Sequence, residues 1–171
     1  MEGSLDVYLL RPKDVWINVL CSRTIVSAWG DFVYGFIVLT LSAGTTPGSY
    51  LLFTALIIPG ALVFTATFAA AESLALYIGN ASSISNALAE FMLSFSLYPE
   101  GIYGPGLRWA LYSIIPAGFV AFMPLRLYRA IGWAQVPLLY LIAVAYVLLS
   151  YTLFRAGLRR YESGNRMDSR V

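Results

Sequence analysis

Histidine is absent from the 171-residue chain. That removes the commonest acid–base group and the commonest metal ligand. A single cysteine, Cys21, excludes an internal disulfide and a cysteine metal cluster. Charge is scarce: 12% of residues are Asp, Glu, Lys or Arg, about half the share of a soluble globular domain. The net charge of +2 is too small to point to nucleic acid. There is no His-Glu-x-x-His, no Gly-x-Ser-x-Gly and no Gly-x-x-x-x-Gly-Lys-[Ser/Thr] loop, so neither zinc proteolysis, serine hydrolysis nor Walker-type ATP binding is written in this chain. The opening Met-Glu-Gly-Ser-Leu-Asp lacks a basic stretch followed by an apolar run, so it is not a signal peptide. Internal repeats and low-complexity segments are missing too.

What the chain has is apolar surface. Hydrophobic residues make up 59% of it, more than a soluble protein of this length can hide. Lipid is the solvent that accepts such a composition. A membrane span needs about 20 apolar residues to cross about 30 Å of hydrocarbon. The longest charge-free run lies between Asp31 and Glu72, too long for one crossing, and Gly44-Thr-Thr-Pro-Gly-Ser49 breaks it with a turn signal. Two spans are expected there, over 24–43 and 50–71. Two further charge-free runs predict spans over 107–125 and 131–154. Between them, 73–98 is too polar for a comfortable span, with Asn80, Ser82, Ser83, Ser85, Asn86 and Glu90. Ile84, Leu88, Phe91 and Phe95 recur there at helical spacing, which predicts an amphipathic helix along the membrane interface. The fold expected is all-α, with about four transmembrane helices and one interfacial helix.

Basic residues orient the bundle. Arg155, Arg159, Arg160, Arg166 and Arg170 place the tail, 155–171, in the cytoplasm, and Arg11, Lys13 and Arg23 do the same for 1–23. Four crossings satisfy both ends. The hairpin at 44–49 then falls outside, as do Arg126 and Arg129, against the charge rule. Trp29, Tyr50, Trp109, Trp133 and Tyr151 stand near the predicted boundaries as interfacial anchors.

Several residues inside the spans invite a functional reading. Pro59 and Pro116 interrupt the second and third spans, where each removes a backbone donor and bends the helix. Proline in membrane helices also serves only to bend them. Pro116 and Pro124 bracket a segment that permits a broken or re-entrant helix. Ser27, Asp31 and Gly35 share a helical face, which reads either as a helix contact or polar pathway, or as a boundary with Asp31 at the interface. Glu72 and Arg108, at neighbouring span ends, are candidates for an ion pair or simple boundary markers.

The order of two segments resembles a known family. Glu2-Gly-Ser-Leu-Asp-Val-Tyr-Leu-Leu-Arg-Pro12 precedes Gly30-Asp31-Phe-Val-Tyr-Gly35. Tyr98-Pro99-Glu-Gly-Ile-Tyr103 precedes Leu107-Arg108 and Ile114-Ile-Pro-Ala-Gly-Phe-Val-Ala-Phe-Met-Pro124. This series is similar to the permease subunits of type-2 ATP-binding-cassette exporters, in the branch related to daunorubicin-type export permeases, over nearly the whole chain. The resemblance implies a transport pathway in the plasma or inner membrane, a separate ATPase subunit as partner, and a second permease copy or homologue completing a dimer. It implies no cofactor. It implies that Asp6, Leu10, Arg11 and Pro12 lie on the cytoplasmic surface that meets the ATPase, where an ordinary juxtamembrane segment with snorkelling basic residues is the competing reading. The loop motif would comprise Tyr98, Pro99, Tyr103 and Arg108. Members of the family have six spans, so the first two are expected to be missing ahead of Met1. The alternative to a transporter subunit is a structural or assembly membrane protein; a membrane-embedded enzyme would need a convergent polar cluster that the sequence lacks.

Overall fold

The computed structural model describes residues 16–17, 26–43, 46–74, 77 and 82–168. It is all-α, with no strand among the described residues. The chain divides into two compact units, Met1–Tyr50 and Leu51–Val171.

In the first unit, α1 covers Val26–Ala43. The following helix, α2, covers Pro47–Ser73 and so begins before the expected Tyr50. Local chemistry accounts for the early start. Pro47 has no N–H to leave unsatisfied and its fixed φ suits the first helical position. Thr46 supplies the cap: its Oγ1 accepts the Ser49 N–H at 3.3 Å and pairs with the Ser49 hydroxyl at 2.7 Å. The hairpin is closed by Thr40 and Tyr50, whose hydroxyls lie 2.8 Å apart, and by Phe36 stacked on Tyr50 with ring centres 6.4 Å apart.

In the second unit, the rest of α2 is followed by α3 (Ser82–Ser96), a 3-10 turn at Glu100–Ile102, α4 (Pro105–Ser113), a π-helical turn at Gly118–Phe122, α5 (Met123–Arg129) and α6 (Gln135–Asp168). Two of the helices, Pro47–Ser73 and Gln135–Arg159 within α6, are each long and apolar enough to cross a membrane unaided. The region expected to hold a span over 107–125 comprises two helices, Pro105–Ser113 and Gly118–Arg129, which meet at 87° as a broken span or a re-entrant loop. Pro116 lies in the break between them, where it cannot continue the helical ladder.

Two apolar clusters flank this bend. Leu56, Met123, Leu127 and Leu139 join α2, α5 and α6, and Leu111, Ala117 and Phe122 fill the inside of the bend. Removing such side chains from water or from loose lipid contact is what fixes the angle.

Helix directions follow from contacts in order along the chain. The Tyr140 hydroxyl donates to the Ala55 carbonyl at 2.6 Å, and Tyr77, beyond the end of α2, donates to the Leu153 carbonyl at 3.3 Å. Both sequences advance together, so α2 and α6 run parallel. Helix α3 runs the other way. Its start meets the end of α2, where Ser85 donates to Glu72, and its end packs on the π-turn that rests on Gly60 in mid-α2.

The face that α3 buries overlaps only in part the one its apolar periodicity indicates. Ile84 and Phe91 are exposed, Leu88 and Phe95 are half-buried, and Ser85 and Met92 are fully buried. In a chain whose outside is lipid, large apolar side chains can turn outward and a small polar one such as Ser85 can turn toward the neighbouring helices. Of the residues expected as interfacial anchors, Trp29, Trp109 and Trp133 are exposed, and Tyr50 and Tyr151 are half-buried.

Candidate functional site

Prolines organise the second unit by the hydrogen bonds they withhold. Pro59 has no N–H for the Ala55 carbonyl four residues earlier. Tyr140 of α6 supplies the missing donor. The Phe95 carbonyl, left without a helical donor in the last turn of α3, accepts from the Tyr103 hydroxyl at 3.0 Å. Pro124 offers nothing to the Val120 carbonyl. That oxygen lies against Gly60, so closely that a Cβ on residue 60 would sit 2.5 Å from it. Pro59 and Gly60 therefore form a junction, with α6 held on one side and the π-turn admitted on the other.

The bend itself carries a polar clamp. Arg126 on α5 donates from Nη2 to the Glu100 Oε2 at 2.6 Å and to the Tyr112 hydroxyl at 3.2 Å. Tyr112, at the end of α4, donates in turn to the Glu100 Oε1 at 3.3 Å. The clamp ties the turn before the bend to both of its arms. It also explains how an arginine expected on the outer side is tolerated, since its charge is met by a carboxylate. Gly118 completes the fit: a Cβ there would lie 2.6 Å from the Tyr112 ring. Tyr112 packs edge-on against Phe119, with ring centres 5.2 Å apart.

A second bracing runs through the loop motif. The Tyr103 ring contacts Phe95 and Phe122 at 5.7 and 6.0 Å, and Arg108 donates from Nε to the Tyr103 carbonyl at 2.9 Å. This motif thus ties α3 to the inside of the bend. Tyr98 and Pro99 are exposed on the loop, and neither joins the contacts around Tyr103 directly.

The structure places the other expected residues as follows. Asp6, Leu10, Arg11 and Pro12 lie outside the described residues. Asp31 is exposed on α1, and a Cβ at the half-buried Gly35 would meet nothing within 4 Å. Pro59, Pro116 and Pro124 are buried around the bend. Glu72 and Arg108 do not pair: Glu72 accepts from Ser85, and the Arg108 side chain is taken by the Tyr103 carbonyl. Glu100, Tyr112, Arg126, Tyr140, Gly60 and Gly118 were not singled out by the motif reading. The legible signal for one of them, Tyr140, was Pro59, which leaves the carbonyl four residues ahead of it in need of a donor.

No group of His, Cys, Asp or Glu able to hold a metal occurs among the described residues. The arrangement is made of helical arms, a proline break and a small number of polar ties.

No curated protein and no solved structure matches the chain. A family model described as ABC-2 family transporter protein matches residues 1–165. With apolar helices of spanning length and a match over nearly its entire length, the chain belongs to the ABC-2 family of transporter proteins and is a membrane component of ABC-type transport.

Proposed function

We propose that this chain is the permease subunit of an ATP-binding-cassette exporter, lining part of the substrate pathway and driven by a separate ATPase subunit. The family match over residues 1–165 is the observation that carries it. The proposal places the protein in the plasma or inner membrane, as multiple passes with both termini cytoplasmic, working as a dimer with a second copy or a homologue. Asp6, Leu10, Arg11 and Pro12 are the proposed contact with the ATPase.

Helix directions support this topology. Because α2 and α6 run parallel, the chain between them makes one net crossing. The arginine-rich end of α6 supports an outside-to-inside direction for both. The 15 residues of α3 rise only about 22 Å, short of about 30 Å of hydrocarbon. We therefore assign the return crossing to α3 and the bent pair together, with the bend in the outer half beside Leu56 and Gly60. There it is the element whose two packings would open or close the pathway to the outside, while ATP-driven movement acts from the inside.

The test is purification of the tagged chain in mild detergent from its native membrane. A Walker-motif ATPase should co-purify, and its hydrolysis should rise when the pair is reconstituted in liposomes. A chain that purifies without an ATPase, and that stimulates none, would be a structural or assembly protein instead.

A further inference from the structure

Arg108, Arg126 and Arg129 fall in a stretch of chain that holds a single carboxylate: Glu100 is the one acidic residue between Glu90 and Glu162. Arg126 takes Glu100, and Arg108 donates from Nε to a neutral carbonyl. Arg129, exposed at the end of α5, makes no hydrogen bond or ion pair with any described residue. An arginine on the outer side runs against the usual charge bias, and nothing among the described residues offsets this one.

Local packing sets what surrounds it. Leu127 is fully buried with Leu56, Met123 and Leu139, and Tyr128 packs edge-on against Phe53 of α2 with ring centres 6.1 Å apart. These two residues fix which side of α5 faces the protein. Leu125 and Arg129, four residues apart, share the exposed side opposite Leu127. The segment leading on to α6 adds Ile131 and Trp133, both exposed. A guanidinium thus stands among large apolar side chains that the protein leaves uncovered.

Depth narrows what covers them. The charge-free part of α6, from Gln135 to Arg155, rises about 30 Å, which matches the hydrocarbon core. With Arg155 at the inner boundary, Gln135 stands at the outer one, and Trp133 and Arg129 just before it stand at headgroup level. Tryptophan is favoured at that depth. The anion native to it is the phosphodiester of a phospholipid, and its alkyl chains can lie on Leu125, Ile131 and Trp133. A guanidinium binds phosphate through two parallel N–H donors. A soluble anion would meet the charge and leave the apolar side chains bare.

We propose that Arg129, with Leu125, Ile131 and Trp133 around it, is a docking surface for the phosphate headgroup of an outer-leaflet phospholipid, which tethers the α5 arm of the bend to the membrane. It rests on the proposed outside-to-inside direction of α6 and adds a lipid partner to the permease reading.

The full chain in maltoside micelles, which carry no phosphate, tests this through Trp133 fluorescence, with Trp16→Phe, Trp29→Phe and Trp109→Phe removing the other tryptophans. The quenchers are phosphatidylglycerol and diacylglycerol with the same brominated acyl chains. Phosphatidylglycerol should quench Trp133 at about tenfold lower concentration than diacylglycerol. Arg129→Gln should erase that preference, and millimolar inorganic phosphate should not reverse the quenching in the parent. Equal quenching by the two lipids, or a preference that persists in Arg129→Gln, overturns the proposal. So does reversal by inorganic phosphate, which would mark a site for a soluble anion. In the otherwise unaltered chain the same signal is the part of the quenching lost on Trp133→Phe, so an unstable triple variant does not decide the outcome. Co-purification of the ATPase reports separately, so loss of the lipid preference leaves the permease reading standing.

Discussion

The hydroxyl of Tyr140 lies 2.6 Å from the carbonyl of Ala55, the one carbonyl of α2 that Pro59 deprives of its helical donor. A proline inside a helix otherwise costs about 3 kcal/mol, part of it through the lost bond. Here a neighbouring helix restores that bond, so the proline binds α2 to α6 rather than loosening α2.

The two residues should be energetically coupled. Tyr140→Phe should destabilise the protein by about 1–2 kcal/mol, since it leaves a half-buried carbonyl without a donor. In a Pro59→Ala background the Ala55 carbonyl regains an N–H, and Tyr140→Phe should then cost much less. Unfolding midpoints of the four proteins give the coupling. Equal costs in both backgrounds would show that the hydroxyl does not serve the proline's gap.

Gly60→Ala should be far more damaging than its size suggests. Its Cβ would meet the backbone oxygen of Val120 at 2.5 Å, and backbone cannot swing aside as a side chain can. A loss of about 1–3 kcal/mol is expected from such overpacking. Gly101→Ala, where nothing lies within 4 Å, is the control and should leave the midpoint nearly unchanged. The comparison needs only thermal melts of the two variants beside the wild type.

The Glu100–Arg126 pair should matter more for the bend than for overall stability. Its side chains are 22% and 54% exposed, so the pair contributes no more than about 1 kcal/mol. Arg126→Glu should raise proteolysis at the turn and lower transport by the reconstituted complex. Adding Glu100→Arg restores opposite charges and should recover most of both. If the double reversal behaves like the single one, the charge pairing is not what holds the bend.

Topology is open to direct labelling. In a Cys21→Ala background, a cysteine at Gly48 should react with a membrane-impermeant thiol reagent added outside intact cells. A cysteine at Arg159 should react only after the membrane is opened. The same labelling side for both positions would contradict the parallel outside-to-inside direction assigned to α2 and α6.

Much of the bundle is readable from charge and length alone. The runs ending at Glu72 and Arg155 correspond to α2 and α6, because a helix that must satisfy its own backbone in lipid leaves a long uncharged record. The hairpin is readable as well, from Thr46-Pro47-Gly48. The bend is only half readable. Pro116 announces a break, but whether it gives a kink or a right-angle turn depends on Leu111, Ala117 and Phe122 filling the inside. The buried face of α3 is readable only in part, for a different reason. Periodicity finds Ile84, Leu88, Phe91 and Phe95, of which Ile84 and Phe91 are exposed, and it passes over Ser85 and Met92, which lie inside. The clamp of Glu100, Tyr112 and Arg126 joins residues 26 apart in sequence across the bend, and no local pattern records a partnership that only the fold creates.

The tyrosine answering Pro59 has a consequence for how the bundle assembles. α2 cannot complete its own backbone hydrogen bonding, so the Ala55 carbonyl stays open until α6 supplies a hydroxyl. A residue made 85 positions later finishes the earlier helix.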